Sequence, residues 1–226
     1  MSLNVLDAVR SCLTPCLVSR ISLSLGENDS AVNKALSGLM PIVLSGFVTK
    51  VTANTHTTKE IQDIVINVYK EGIRQNENIG CNSFDKGLHL VHLLFGDKVD
   101  SLSEAIVSYA GIKKVSATSL FGLAGSLMAG LLGKYVTDLN MSAASLSSFL
   151  RSQKSNIMSV LPAGLSGIAG LLELSTIGDT FTPETKHKGW YESITNDEPM
   201  SKKRQLLWTL LLAAILFVAI YLAWKK

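Results

Sequence analysis

The sequence predicts an all-α protein: a multi-helix domain, then a polar linker and one C-terminal transmembrane helix. Three observations carry this expectation. Apolar residues recur every three or four positions through most of residues 4–174. No persuasive run alternates apolar with polar residues, so no sheet is expected. Residues 206–224, LLWTLLLAAILFVAIYLAW, contain no charge. A helix of that length reaches about 28 Å, close to the thickness of a bilayer's hydrocarbon core.

The elements follow in order. Val5, Leu6, Val9 and Leu13 form one stripe of a first helix. Thr14-Pro15 gives a cap and a first-turn proline for a second helix through Cys16, Leu17, Ile21 and Leu25, stopped at Gly26. Residues 27–30 are a turn that caps a longer helix over 31–51. Pro41 lies inside that helix and should kink or split it. After a cap at Thr57-Thr58, a helix places Ile61, Ile64, Val65, Val68 and Tyr69 on one face. Residues 76–83 read as a loop, 84–95 as a helix ended by Gly96, 97–101 as a turn, and 102–110 as a short helix closed by Gly111. A second long apolar helix covers 116–135. Asn140 opens a Ser-rich helix to 150, and further helices run to 174 with a break at Leu161-Pro162. The domain is therefore 1–174. Residues 175–204 shift to Thr, Pro, Glu, Lys, Asp and Asn and read as the linker.

Two distant stretches align without gaps: 35–50, ALSGLMPIVLSGFVTK, and 119–134, SLFGLAGSLMAGLLGK. Leu36, Gly38, Leu39, Gly46 and Lys50 match Leu120, Gly122, Leu123, Gly130 and Lys134. Residues 161–167 echo 40–46 more briefly. This predicts an internal helical repeat whose copies pack around a shared core. In the second copy, Gly122, Ser126 and Gly130 fall at i, i+4, i+8, and Gly125, Ala129 and Gly133 do the same one face over. Small side chains let another helix approach backbone to backbone. Each interior glycine costs ~1 kcal/mol against alanine in water, so several in one helix need a packing reason or a membrane. Residues 115–133 are uncharged and about membrane length, which leaves insertion open for them too.

Within 205–226, the residues expected to meet membrane lipid are Leu206, Leu212, Ile215 and Phe217, with Trp208, Tyr221 and Trp224 near the interfaces. Lys202, Lys203 and Arg204 precede the run, against Lys225 and Lys226 after it, which weakly favours a cytosolic domain. The N-terminus lacks the pattern of a signal peptide, in the same sense. The net charge is only +3 and no basic run interleaves with aromatics, so nucleic acid is not an expected partner. Cys12, Cys16 and Cys81 are too few and too scattered for a disulfide framework. His89 and His92 stand at i, i+3 without the glutamate of a zinc-protease motif, and no phosphate-binding loop or nucleophile elbow occurs. No catalytic residue, cofactor or metal is expected, and the chain does not read as an enzyme.

Residues 146–172 carry SQKSNI and LPAGL. Leu150, residues 152–157 and residues 161–165 resemble the end of the bacterial YidB-like all-helical family of unknown function, and 35–50 is similar to that family's N-terminal half. The resemblance spans roughly 1–173. It implies a domain that some relatives place before one membrane helix and an OmpA-like peptidoglycan-binding domain; it supplies no catalytic residues. The expected function is a membrane-anchored interaction or scaffolding protein of the bacterial envelope, single-pass in the inner membrane. Its expected partners are another protein or a second copy, the latter through the small-residue faces. The alternative is a membrane-inserting or pore-forming protein with an apolar internal hairpin.

Overall fold

The computed structural model describes residues 4–53, 55–74 and 84–168. Its elements are α1 (Val5–Cys12), α2 (Pro15–Leu25), α3 (Asp29–Ala53), α4 (Thr55–Arg74), α5 (Phe84–Phe95), α6 (Lys98–Ala110), α7 (Lys114–Asp138), α8 (Ala143–Ser152) and α9 (Lys154–Val160), then a 3-10 helix (Ala163–Ile168). Among the described residues there is no strand, so the described fold is all-α. The expected linker and C-terminal transmembrane helix lie outside the described residues.

Local chemistry sets most boundaries. The side chains of Asn4, Thr14 and Ser142 accept from the backbone N–H of Leu6, Leu17 and Ser145, capping α1, α2 and α8. Asn28 does the same for Ser30 at the start of α3. Gly26 (φ 62°) and Gly111 (φ 73°) end α2 and α6 in the left-handed region, where a Cβ is costly.

Two expectations are corrected, and a third is narrowed. Pro41 is buried within α3, which is not split. Residues 98–101 are helical, because Val99 and Leu102 are buried on the same face as Ile106 and extend α6 backward. Asn140 does not open α8. It sits at φ 47° just beyond α7, and Ser142 provides the cap.

The core is built on α3 and α7, each 25 residues long. Residues 38–48 of α3 and 120–133 of α7 are buried on every side, the condition in which a helix needs no polar face. The amphipathic helices wrap them. α4 presents Thr58, Ile61 and Val65 inward; α5 presents Gly87, Leu90, Val91 and Leu94.

The direction of the long pair is fixed at its ends. Glu27, just before α3, accepts from the Lys113 backbone N–H and Ser116 Oγ at the start of α7, and Ser147, beyond the end of α7, donates to the carbonyl of Val51 near the end of α3. Gln62 donates to the carbonyl of Met141 at 2.7 Å, while Val65 and Tyr69, further along α4, lie against Gly133, so α4 runs against α7. Start lies by start and end by end, so α3 and α7 are parallel. They are separated in sequence by three helices and do not form a hairpin.

The two 25-residue helices occupy comparable places in the order: each follows a helix ended by a left-handed glycine, Gly26 before α3 and Gly111 before α7.

Candidate functional site

The membrane-anchor residues Leu206, Trp208, Leu212, Ile215, Phe217, Tyr221 and Trp224 lie outside the described residues, as does Cys81. The six small residues of α7 are all described and all buried. They do not form one seam. Gly122, Gly125 and Ser126 receive α5 at Gly87. A methyl group on Gly87 would stand 1.8 Å from the Gly122 carbonyl oxygen and 2.3 Å from Ser126 Oγ. One on Gly125 would stand 2.8 Å from the Gly87 carbonyl oxygen. The helices cross in contact of backbone with backbone, which favours weak Cα–H···O contacts. Gly133 receives α4: a methyl there would meet the Val65 carbonyl oxygen at 2.0 Å. Ala129 and Gly130 are buried between these crossings. Both partner helices come from the same chain.

Gly38 and Gly46 of α3 make equivalent room for side chains. At Gly38 the neighbours are Leu165, Ile106 and Tyr109; at Gly46 the Phe95 ring fills the space. Leu165 belongs to the LPAGL stretch, so that motif closes the fold over α3. The QKSN stretch has a comparable task. Gln153 is 3% exposed, and its Oε1 accepts from the Val5 backbone N–H, 148 positions away, at 3.2 Å. It thereby ties the junction of α8 and α9 to the first turn of α1. We expect Gln153→Leu to destabilise the domain by about 1–3 kcal/mol, because a buried N–H loses its acceptor. Gln153→Glu, which keeps that acceptor, should lose less in a urea titration.

Glu27 performs the same kind of service at α7. Lys113 has no side-chain cap of its own. The Lys113 backbone N–H (3.0 Å) and Ser116 Oγ (2.7 Å) both donate to Glu27 Oε1. Lys113 Nζ returns a bond to the Gly26 carbonyl at 3.3 Å. The backbone bond from Lys113, then that from Ser116, holds the Glu27 carboxyl below its ordinary value of 4.5. Because folding lowers this pKa, the stabilisation is complete above the ordinary value and fades as pH falls through the lower folded value. Glu27→Gln should therefore lower the thermal midpoint at pH 7, with the gap to wild type narrowing as pH falls below the carboxyl's ordinary value. A gap that stayed unchanged through acid would mean the carboxylate charge is not what matters.

The cavity of note is a groove of about 430 Å³ between α6 and the 3-10 helix, lined by Ala105, Ser108, Tyr109, Gly164, Leu165 and Ile168. Lys34 Nζ lies 4.8 Å from the centre of the Tyr109 ring. The wall holds no carboxylate, imidazole or thiol to move a proton or bind a metal. His89, His92 and Cys16 are exposed, and Cys12 is half-buried beside Tyr135, whose phenol burial pushes up. Among the described residues no three His, Cys, Asp or Glu side chains converge on one point. The surface ion pairs, Lys114 with Glu104 and Lys134 with Asp138, hold both lysines above their ordinary range through the bonds themselves. They are exposed and worth little.

Sequence reasoning named the receiving glycines of α7 but not their partners. Gly87 carried a signal, an interior glycine in an apolar helix. Glu27 and Gln153 carried none, since each acts across more than 80 residues.

A family model of bacterial proteins of unknown function, DUF937, matches residues 7–135. No curated protein and no solved structure matches the chain.

Proposed function

Since the chain belongs to this bacterial family of unknown function, a membership consistent with its YidB-like stretches, we propose that it is a membrane-anchored helical scaffold of the cell envelope. Residues 206–224 cross the inner membrane once, and the domain faces the cytosol. Its partners are other proteins or a second copy, and an OmpA-like peptidoglycan-binding part outside the membrane belongs to the same proposal. The observation that carries the reading is the uncharged, aromatic-flanked run Leu206, Trp208, Tyr221, Trp224, attached to a domain whose groove and surface offer no reactive cluster among the described residues. Protease treatment of intact spheroplasts tests it. Residues 4–168 should be protected and become digestible on lysis; digestion in intact spheroplasts would reverse the topology.

The internal repeat belongs to this reading. The comparable places of α3 and α7 in the helix order and the matching positions Gly38/Gly122 and Gly46/Gly130 support a duplicated unit.

The second reading, membrane insertion, draws on two helices of spanning length, Asp29–Thr52 and Lys114–Asp138. Their apolar windows are 78% and 83% buried in the fold, which supports a core role for both. Their parallel course also argues against insertion as a hairpin.

A further inference from the structure

The first half of the described fold, α1–α4, and the second, α5 to the 3-10 helix, pack mainly through each other. Long-range side-chain bonds cross between them: Val5 with Gln153, Glu27 with Lys113 and Ser116, Lys113 with Gly26, Val51 with Ser147, Gln62 with Met141, and Glu71 with Lys86. Three glycine seats cross as well, while the Gly87–Gly122 seat joins α5 to α7 within the second half. Gly38 and Gly46 in the first half are filled by Leu165, Ile106, Tyr109 and Phe95 of the second. Gly133 in the second is filled by Val65 and Tyr69 of the first. The backbone passes from one half to the other only once, through residues 75–83.

We propose that each half is a docking surface for the other in trans as well as in cis, so that this chain self-associates by exchanging halves with a second copy. An exchanged pair repeats each of the contacts above; only the passage of the chain differs. Concentration then sets the balance between the closed monomer and the dimer. This inference deepens the self-association in the preceding reading by naming its surface. That surface is the set of buried faces around α3 and α7, not an exposed patch.

The test uses full chains in detergent. Leu39→Asp/Val43→Asp disables the first half, and Leu123→Asp/Leu127→Asp disables the second at repeat-equivalent positions. All four side chains are at most 2% exposed, and buried carboxylates without partners unfold a core. Differently tagged, the two variants are refolded from denaturant separately and together. The expected result is that neither folds alone. The mixture should give a one-to-one complex that melts cooperatively, with half the wild-type helical signal per chain. The first variant mixed with a retagged copy of itself should give none. A mixture that behaves as the sum of its unfolded parts overturns the exchange. The mass of the wild-type chain is measured alongside, so a dimer without complementation rejects this surface while leaving self-association standing.

Discussion

Gly87→Ala is expected to cost at least about 3 kcal/mol, a large part of the stability of an ordinary domain. Helix propensity alone gives the opposite sign, since alanine is favoured over glycine inside a helix by ~1 kcal/mol. The added methyl has nowhere to go. It would lie 1.8 Å from the Gly122 carbonyl oxygen and 2.8 Å from its carbonyl carbon, and these are backbone atoms that no rotamer change can move. α5 must slide outward, which also lifts Leu90, Val91 and Leu94 from the core. Gly72→Ala is the matched comparison. It is also a helical glycine, but no atom lies within 4 Å of the added group, so it should be neutral or gain up to ~1 kcal/mol. Urea titration of the pair checks this. Equal effects would show that α5 and α7 do not meet at their backbones.

Phe121→Ala should be comparably severe, about 3–5 kcal/mol. Phe121 is fully buried in α7, with its ring centre 5.7 Å from that of Phe95. Phe95 in turn fills the space above Gly46. Removing Phe121 opens a cavity between α5 and α7 and loosens the ring that seats α3, so the loss spreads across three helices. Leu23→Ala, at a residue 83% exposed, should stay within about 0.5 kcal/mol. A similar small loss at Phe121 would mean that the core collapses around the missing ring.

Much of this fold was readable in the residues because its boundaries are set locally. Thr14-Pro15, Gly26, Gly96 and Gly111 act on their own turns, and each stands at or next to a helix end. The departures arose where packing outweighed local preference. Of the two effects expected of Pro41, a split does not occur, because the proline is buried in a helix whose neighbours hold it on all sides. Val99 looked like part of a turn because Asp97 and Asp100 surround it, but its burial recruits that stretch into α6. Asn140 offered two meanings, opening a helix or following one, and only its backbone angle separates them. The small-residue rows were legible as packing surfaces. That Gly125 serves α5 and Gly133 serves α4 was not, because the choice depends on partners 38 and 68 positions away.

The interlocked course of α3 and α7 has a consequence for the chain as it is made. α3 is complete at Ala53, but α7, which shares its core, ends at Asp138. At roughly 5–20 residues per second, a ribosome takes on the order of 5–15 s to deliver the intervening segment. Throughout that interval one of the two long core helices of the domain has emerged without the surface that shelters it. The nascent first half therefore carries an aggregation hazard of its own, and gives a holding chaperone something to protect.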